Sequence, residues 1–351
     1  MITDIRLQHF RSYTDGSFEF DPGVNIIVGP NASGKTNLLE GVLMACLGKS
    51  YRAKDTDLIE HDQTWARIDT HTPTGSRVVK IIPGKLTVTN KTFVIDDVVY
   101  KRLSLHRAIP AVLFEPNHLQ LLNGSPDGRR EYLDGLIEQT VNGFATIRRQ
   151  YKRTLAQRNN LLKHGKAHGD QLFVWNIRLS QLGAQIAIER QRVVDHMNTH
   201  MTELYQSLSK TNGVVSVVYT SGCEATQYGS DMLYKLEQSL QFDLERGFTS
   251  YGPHRDDMTL TLNTHVASET ASRGEVRTLV LALKIIELQR IQQARSQKPV
   301  LLLDDVFSEL DGVRRQALTT VLQTHQTFIT TTDADIVVKN FSQHSNVIAL
   351  A

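Results

Sequence analysis

A glycine-rich loop near the N-terminus is the feature that most constrains the fold of this chain. Residues 29–36, GPNASGKT, match the pattern G-x-x-x-x-G-K-[S/T] at every fixed position. The loop follows the apolar run VNIIV, which predicts a strand, and it precedes LLEGVLMACL, which predicts a helix. A glycine turn that binds nothing is the alternative, but strand, loop and helix in this order favour a phosphate-binding loop and an α/β fold.

The residue types in this loop suit the phosphates of a nucleotide. Glycines allow backbone N–H groups to close around phosphate oxygens, and the first turn of the helix adds a partial positive charge. Lys35 is predicted to reach the β- and γ-phosphates, and the Thr36 hydroxyl is predicted to bind Mg²⁺. ATP and Mg²⁺ are therefore the predicted cofactors, and the predicted nucleotide contacts are Gly29, Pro30, Asn31, Ala32, Ser33, Gly34, Lys35 and Thr36.

A pair of aspartates far along the chain supplies the carboxylate that such a loop requires. Residues 300–303 are continuously apolar, as in a strand buried on both faces of a parallel sheet, and Asp304 and Asp305 follow them. We predict that Asp304 binds Mg²⁺ through water and that Asp305 polarises the attacking water. Lys35 and Asp305 are thus the predicted catalytic residues. A plain aspartate pair in a loop is the alternative, which the phosphate loop upstream disfavours.

The spacing of these motifs disfavours a metabolic P-loop kinase and a transporter ATPase subunit, which remain the alternatives, and a missing motif rules out a GTPase. Nearly the whole chain separates Lys35 from Asp304, whereas a metabolic P-loop kinase or a transporter ATPase would keep its motifs closer together. A GTPase would carry Asn-Lys-x-Asp, but the pair Asn90-Lys91 is followed by Thr92-Phe93. We infer a site that forms when the two ends of the chain meet. A purely architectural DNA-binding protein would have no use for such a site.

A polar turn, Ser272-Arg273-Gly274-Glu275, precedes an apolar segment that predicts a helix. Serine is a good N-cap and glutamate three residues later completes a capping box, so a simple helix cap is one interpretation. The split site, however, resembles that of the ABC-type ATPases of chromosome maintenance and repair. In that class a Ser-x-Gly turn faces the γ-phosphate bound by a second subunit, which implies an ATP-dependent homodimer with a twofold axis. Residues 308–311, SELD, resemble the D-loop of the same class.

Within this class the chain resembles the RecF family over essentially its whole length. The motifs that carry the resemblance are LQHFRSY, GPNASGKTN, SYRAKDTDLI, GSPDGRREYLD, SYGPHRDD, SRGEVRTLVLALK, LLLDDVFSELD and TFITTTD. The resemblance implies an ABC-type P-loop ATPase head, with mixed sheets and flanking helices, formed by residues 1–120 and 250–351. It implies that residues 121–249 form an inserted, mainly helical second lobe.

The resemblance also implies a function in recombinational repair, replication-fork maintenance and the SOS response. The expected protein is an ATP-driven dimer that clamps DNA at single-strand gaps or junctions and helps to load the recombinase. Weak ATP hydrolysis would reset it, and RecR and RecO are the expected protein partners. Many related ATPases have glutamate where this chain has Asp305, so we expect slow hydrolysis. Thr332 and Asp333 stand where a switch histidine is usual, and Gln120 is a candidate Q-loop glutamine.

Basic residues in the insert and two arginines of the head are the candidate DNA and phosphate contacts. No Asp or Glu lies between Gln139 and Gly169, and this segment contains Arg148, Arg149, Lys152, Arg153, Arg158, Lys163 and Lys166. A solvated helix face and a surface for the DNA backbone both fit such a run. The predicted DNA contacts are Arg148, Arg149, Lys152 and Arg153. By resemblance, Arg52 is a further phosphate or DNA contact and Arg11 lies near the nucleotide.

Composition sets the remaining expectations. The net charge is only +2, so a DNA-binding role depends on local basic surface. Cys46 and Cys223 are too isolated for a disulfide framework or a zinc site, which favours buried thiols in a reducing compartment. The 13 histidines show no metal-ligand spacing, and no leader or apolar run of about 20 residues is present. We therefore predict a cytoplasmic protein that does not enter membranes.

Overall fold

The structure is a computed structural model that describes residues 1–84, 89–163, 169–307, 310–332 and 345–350, with the side chains of 169–171 excepted. The chain divides into two compact units. The first comprises Met1–His118 with Glu287–Ala351, and the second comprises Leu119–Ile286. In the first unit the N-terminal elements are β1 (Asp4–Phe10), β2 (Tyr13–Glu19), β3 (Val24–Val28), α1 (Lys35–Leu47), β4 (Ala66–Thr72), β5 (Gly75–Pro83), β6 (Thr89–Ile95), β7 (Val98–Tyr100) and β8 (Ala111–Phe114).

The second unit contains most of the helices. Its elements are α2 (Gln120–Asn123), α3 (Pro126–Thr140), α4 (Phe144–Lys163), α5 (Gly169–Ser209), β9 (Val215–Thr220), α6 (Tyr228–Gln238), α7 (Leu240–Arg246), β10 (Asp257–Leu262), β11 (His265–Val266) and α8 (Ala267–Thr270). Helix α9 (Arg273–Arg295) contains the second boundary between the units. The chain then returns to the first unit with β12 (Val300–Asp304), α10 (Gly312–Leu322), β13 (Thr327–Thr331) and β14 (Ser345–Ala349).

The first unit contains one parallel and one antiparallel sheet. The parallel sheet has the order β14-β3-β13-β12-β8, and the antiparallel sheet has the order β2-β1-β4-β5-β6-β7. Helix α1 contacts strands of both sheets, and its side chains Leu38, Leu39, Val42 and Met44 are fully buried. A helix that is apolar on all sides is stable only inside a core. The residue that begins α1, Lys35, is thereby fixed at the edge of this core.

The second unit differs from the predicted insert at its C-terminal end. Strand β10 pairs antiparallel with β9, so residues 257–262 belong with the second unit rather than with the segment 250–351 predicted for the head. The alternating sequence MTLTL of β10 buries every second residue. The helices α3, α4 and α5 lie within residues 121–249, which the family resemblance implies to be mainly helical. The functional division into head and insert stays a prediction.

The family motif SYGPHRDD has a structural role within the second unit. Gly252 has φ 130°, a conformation that L-residues rarely adopt. Tyr151 donates a hydrogen bond of 2.6 Å to Nδ1 of His254, whose Nε2 donates one of 3.0 Å to the carbonyl oxygen of Thr249. Burial lowers the pKa of His254 to about 4, so the ring is neutral. Arg255 donates to the same carbonyl oxygen at 3.3 Å.

The cysteine predictions are confirmed by the structure. Cys46 and Cys223 are both buried and unpaired. Burial raises the pKa of the Cys46 thiol to about 12 and that of Cys223 to about 11, as expected of inert structural thiols. Among the helices of the described residues, none combines the length and apolarity required to cross a bilayer.

Candidate nucleotide and metal site

The loop between β3 and α1 has the backbone geometry of a phosphate cradle. Ala32 and Gly34 have positive φ angles of 70° and 96°, so the chain turns sharply before the first N–H groups of α1. Those N–H groups have no acceptor within the helix. A Cβ atom on Gly29 would lie 2.6 Å from the carbonyl oxygen of Leu350, so only glycine fits there. The loop can therefore present several N–H donors to one anion.

Lys35 and Ser33 provide the polar side chains of this cradle. The Lys35 ammonium donates hydrogen bonds of 2.7 Å to the carbonyl oxygens of Gly29 and Pro30, and the residue is 9% exposed. The hydroxyl of Ser33 is buried and has no hydrogen-bond partner among the described residues. Buried hydroxyls are rarely left unsatisfied, so an oxygen-rich ligand fits this position. The residues present therefore suit the phosphates of a nucleotide.

The predicted metal ligands are in direct contact. The Thr36 hydroxyl donates a hydrogen bond of 3.0 Å to Oδ1 of Asp304, across most of the length of the chain. The hydroxyl of Thr330 donates to the same oxygen at 2.8 Å, and the Tyr51 hydroxyl donates to Oδ2 at 2.9 Å. Three hydroxyl donors therefore orient the one carboxylate of Asp304.

This donor set suits Mg²⁺ better than a transition metal. A hydroxyl and a carboxylate are hard oxygen ligands, and Mg²⁺ usually completes its shell with water and phosphate oxygens. Among the described residues, no cluster of three or more His, Cys, Asp or Glu side chains could bind a metal by itself. A Mg²⁺ ion held by Thr36 and Asp304 would therefore take its further ligands from water and phosphate oxygens.

Asp305 follows the metal carboxylate in a strained conformation. Its φ is 53°, which is uncommon for a residue other than glycine, and its side chain is exposed. The backbone N–H of Asp305 donates a hydrogen bond of 3.0 Å to the Thr330 hydroxyl, which stabilises this turn. Strained conformations of this kind persist where the surrounding structure fixes them, and they cluster at functional sites.

Arg11 pairs with a buried carboxylate in this structure, and its place near the nucleotide stays a prediction. Its guanidinium donates hydrogen bonds of 2.8 and 3.1 Å to the two carboxylate oxygens of Glu40 and one of 2.9 Å to the carbonyl oxygen of Asp57. The Glu40 side chain is fully buried on α1. A buried carboxylate is costly unless it is paired, so Arg11 stabilises α1 in this structure.

The turn before α9 is a capping box. The N–H of Ser272 donates a hydrogen bond of 2.7 Å to the Glu275 carboxylate, and the N–H of Glu275 donates one of 3.3 Å to the Ser272 hydroxyl. Ser272 and Arg273 are exposed, whereas Gly274 and Glu275 are half-buried. The cap predicted by the simpler interpretation is therefore present. A signature role for the same exposed turn stays a prediction.

Several predicted residues have local roles or lie outside the described residues. Ser308, Glu309 and Asp333 are not among the described residues. Asp311 caps α10 by accepting a hydrogen bond of 3.0 Å from the N–H of Arg314. Gln120 begins α2, and Thr332 is exposed after β13. The switch role of Thr332 and Asp333 and the Q-loop role of Gln120 stay predictions.

The basic segment of α4 is amphipathic, and part of the predicted DNA surface is wrong. Arg148 is 8% exposed, and its guanidinium pairs with the carboxylates of Glu131, Asp134 and Glu138. A guanidinium surrounded by three carboxylates is neither accessible nor electrostatically available to DNA. Arg158, in the same basic run, is fully buried and pairs with Asp243 at 2.7 Å.

The exposed face of α4 keeps three of the predicted cations. Arg149, Lys152 and Arg153 are exposed. In the first unit, Arg52 is also exposed, and no carboxylate pairs with it among the described residues. These four side chains remain the candidates for phosphate contacts. Lys163 is exposed at the end of α4, and Lys166 lies outside the described residues.

The structure adds two residues that sequence reasoning missed. Thr330 lies opposite Asp304 in the parallel register of β12 and β13, which explains its contact with the carboxylate. The only sign of Thr330 in the sequence is the run of threonines at the end of β13. Its partner could be identified only once the order of the strands was known. Tyr51 is 253 positions from Asp304 in the sequence, and no pattern in the chain pairs them.

Comparison with known proteins gives full-length matches. The family model of the RecF/RecN/SMC N terminal domain matches residues 1–349. The DNA replication and repair protein RecF of Limosilactobacillus reuteri (strain DSM 20016) is 32% identical over 365 residues, which cover 100% of this chain and 97% of that protein. The RecF protein of Heliobacterium modesticaldum is 34% identical over 342 residues, covering 94% and 92% of the two chains.

Solved structures match the fold as well. The recombination mediator protein RecF-ATPrS of the RecFOR pathway has a TM-score of 0.86 and 28% identity over 96% of this chain and 93% of that chain. Its counterpart RecF-ATP has a TM-score of 0.85 and 29% identity over 95% and 92%. An Smc head bound to the C-winged helix domain of ScpA, at a TM-score of 0.51 and 14% identity over 97% and 92%, shares the fold. The predicted fold class is thereby confirmed.

Proposed function

The chain belongs to the RecF family of DNA replication and repair proteins. From that premise we propose that ATP acts as a switch, because its binding joins two copies of this chain into a dimer on DNA. One observation carries the proposal. The P-loop hydroxyl of Thr36 and the strand-end carboxylate of Asp304 lie 3.0 Å apart although they come from opposite ends of the chain. A phosphate loop with an adjacent oriented carboxylate is the minimum that ATP and its metal require.

Each residue of the site has a specific role in this proposal. The N–H groups of the loop and the Lys35 ammonium bind the β- and γ-phosphates, and Ser33 donates its otherwise unsatisfied hydroxyl to a phosphate oxygen. Thr36 and Asp304 would bind Mg²⁺, which neutralises phosphate charge when present. Asp305 polarises the attacking water. Because the aspartate side chain is short, it positions water less well than glutamate, and hydrolysis is slow.

In the proposed dimer, the exposed turn before α9 of each copy contacts the nucleotide of the other copy. Ser272, Arg273 and Gly274 of one copy contact the γ-phosphate bound by the other copy, so two ATP molecules lie between identical subunits. Each γ-phosphate then has contacts in the dimer that the monomer lacks. ATP favours the dimer by this difference in affinity, and hydrolysis removes it. The switch therefore requires no change of fold within either subunit.

DNA binding is proposed for the exposed cations of both units. Arg52 and the α4 face of Arg149, Lys152 and Arg153 contact the phosphate backbone without reading sequence. The dimer clamps DNA at a single-strand gap or its junction with duplex and, with RecR and RecO, helps to load the recombinase. We expect the protein to bind DNA in the cytoplasm. Because guanidinium and ammonium groups bind phosphate in any sequence, the DNA structure rather than its sequence would be recognised.

Asp305→Asn tests the switch. Asparagine keeps the size of the side chain but is not a base, so we expect ATP to bind as in the unaltered protein while hydrolysis slows by about 100-fold or more. The variant is then expected to remain dimeric with ATP and DNA for longer than the unaltered protein. Turnover and sedimentation mass are measured together. Normal ATP hydrolysis in this variant would show that Asp305 does not polarise the attacking water.

A triple replacement, Arg149→Gln with Lys152→Gln and Arg153→Gln, tests the DNA surface. Each lost phosphate contact lowers the slope of log affinity against log salt by about 0.9, so loss of all three lowers it by roughly 3. Arg148 is left unchanged because it is buried and pairs with Glu131, Asp134 and Glu138. The matched control replaces three exposed cations elsewhere in the second unit, Arg192, Lys210 and Arg246. If the salt dependence of DNA binding is unaltered in the test variant, the exposed face of α4 does not contact DNA and is only a solvated surface.

A further inference from the structure

A pocket of about 510 Å³ lies in the first unit, at the end of the parallel sheet opposite to the P-loop. Residues at the starts of four parallel strands line it, since Pro22 precedes β3, Pro110 precedes β8, Val300 begins β12 and Gln326 precedes β13. The P-loop and Asp304 lie at the other ends of β3 and β12, roughly 13 Å away along a strand of five residues. A small ligand in this pocket therefore leaves the nucleotide site free.

Arg77 is a charged residue on the core side of the antiparallel sheet. Side chains alternate along β5, so Arg77 shares a face with Val79 and Ile81, which are buried. Arg77 lines the pocket, and its guanidinium makes no hydrogen bond or ion pair among the described residues. The Asp96 carboxylate acts on it without forming an ion pair, and Oδ1 of Asp96 accepts a hydrogen bond of 3.1 Å from the N–H of Ser76. Burial lowers the pKa of the Arg77 guanidinium, so an anion that enters the pocket would stabilise its charged form.

Two further cations lie at or beside the pocket. Lys298 lines it, is exposed, and forms no ion pair among the described residues. The Arg295 guanidinium donates a hydrogen bond of 2.9 Å to the carbonyl oxygen of Ala108, which is part of the lining, and its Nη1 is buried without a partner among the described residues. His106 also belongs to the lining, whereas no Asp or Glu is among the described residues that form it. The pocket therefore combines positive charge with unused hydrogen-bond donors.

The charge and the walls of the pocket suit a small phosphate ester. A phosphate group carries a charge of about −1.5 to −2 at neutral pH, so it can bind Arg77 and Lys298 together, whereas a carboxylate has a single charge. Ile109, Pro110 and Val300 form an apolar wall for the organic part of such a ligand. The volume lies within the range of about 300–1,000 Å³ that is usual for small-molecule sites. A small molecule with one phosphate group therefore matches the pocket in both charge and size.

We propose that this pocket is a second ligand site, in which Arg77 and Lys298 bind the phosphate group of a small organic phosphate. Arg77 supplies the two parallel hydrogen bonds that a guanidinium makes with phosphate, and Lys298 adds a point charge at the rim. Arg295 is a positioning residue, because it binds the carbonyl oxygen of Ala108 in the lining. The site is separate from the ATP site and does not depend on the proposed function.

Calorimetric titration with ribose 5-phosphate tests this site. One equivalent of a non-hydrolysable ATP analogue with Mg²⁺ is added first, so that the P-loop is occupied. We expect one further site for ribose 5-phosphate, and we expect Arg77→Gln to weaken binding there by at least about tenfold, because two charge-assisted hydrogen bonds are lost. Inorganic phosphate and a tetra-aspartate peptide are titrated in parallel. Both are expected to bind more weakly, since one lacks the organic part and the other lacks the phosphate.

Two further variants complete the test. Lys298→Gln is expected to weaken binding by about two- to fivefold, as is usual for one exposed ion pair, and because Lys298 is exposed this variant tests the site even if Arg77→Gln folds poorly. Arg102→Gln is the matched control, since it removes one guanidinium from an exposed position of the same unit that does not line the pocket. Its affinity for ribose 5-phosphate is expected to equal that of the unaltered protein.

The outcomes separate this inference from the proposed function. The second site is overturned if the unaltered protein shows no further site, if the ATP analogue displaces ribose 5-phosphate at one equivalent, or if Arg77→Gln binds it as Arg102→Gln does. Equal binding of inorganic phosphate would overturn the assignment of an ester, and tighter binding of the peptide would overturn the assignment of a phosphate. If the ATP analogue itself does not bind, the proposed function is wrong, while the difference between Arg77→Gln and Arg102→Gln still decides the second site.

Discussion

Ser272→Arg is expected to leave the protein monomeric with ATP and a gapped duplex, at concentrations where the unaltered chain forms a dimer. The residue is exposed at the start of α9, and the proposed dimer places it against the γ-phosphate of the second copy. A long arginine side chain there occupies the space of the partner's loop. Disrupting a close interface contact of this kind typically costs several kcal/mol, which weakens dimerisation by at least about 100-fold.

Ser272 also caps α9, so loss of the cap must be separated from loss of the partner. Ser272→Asp makes this separation, because aspartate is as good an N-cap as serine but places a negative charge beside the predicted γ-phosphate. We expect this variant to be as stable as the unaltered protein and equally unable to dimerise. Ser272→Thr keeps both the cap and the neutral hydroxyl, and it is expected to dimerise.

Sedimentation mass without nucleotide, with ADP, and with ATP plus gapped duplex distinguishes the two interpretations of the turn. A dimer that requires ATP, persists in Ser272→Thr and is lost in Ser272→Asp would show that the turn contacts the nucleotide of the partner. If Ser272→Asp still forms an ATP-dependent dimer, the turn is only a helix cap and does not contact the partner's nucleotide. The proposal would then need another surface for the dimer.

Local patterns were sufficient for the parts of the site that are continuous in sequence. The P-loop could be predicted because a strand, a glycine loop and a helix each have a sequence signature within residues 24–47. Asp304 could be predicted because it ends an apolar run. The contact between them could be inferred only from the chemistry of phosphate binding, and the structure places the two side chains 3.0 Å apart.

The burial of Arg148 and Arg158 shows where composition misled. The segment has no acidic residue of its own, and both interpretations of it, a solvated helix face and a surface for DNA, require its arginines to be exposed. Positions 148, 151, 158 and 162 nevertheless repeat at helical spacing and are buried, whereas 149, 152 and 153 lie on the exposed face. Helical periodicity could have separated these faces. The carboxylates that pair with Arg148 come from α3, and only the packing of the two helices brings them together.

Contacts between side chains that are distant in the sequence and belong to no common pattern could not be predicted at all. Tyr51 follows α1 in an irregular segment, and Arg11 and Glu40 are paired through a turn with φ of 56° at Arg11. No propensity or spacing indicates such pairs, because they depend on how strands of two sheets contact the same helix. The motifs therefore identified the groups that would touch a nucleotide, and the fold was required to identify those that hold them.

Lys35→Met is expected to abolish tight ATP binding. The ammonium is almost buried in the loop and forms two hydrogen bonds of 2.7 Å to the loop's own carbonyl oxygens, which position it for phosphate. Methionine has a similar length and no charge, so the loop keeps its shape but loses its cation. Hydrogen bonds to charged groups contribute about 1.5–3 kcal/mol each, so loss of one bond from the ammonium to the β-phosphate and one to the γ-phosphate lowers affinity by at least about 100-fold.

Equilibrium binding of a fluorescent ATP analogue measures this effect, with Lys54→Met as the control. Lys54 is an exposed lysine of the same unit, so its replacement changes net charge equally without touching the loop. Unchanged nucleotide affinity in Lys35→Met would contradict the phosphate-loop assignment. The comparison with Ser272→Arg is decisive for the mechanism. Lys35→Met should lose both nucleotide and dimer. Ser272→Arg should keep the nucleotide on its own loop and lose only the dimer, because in the proposed dimer each ATP is bound by one subunit and contacted by the other.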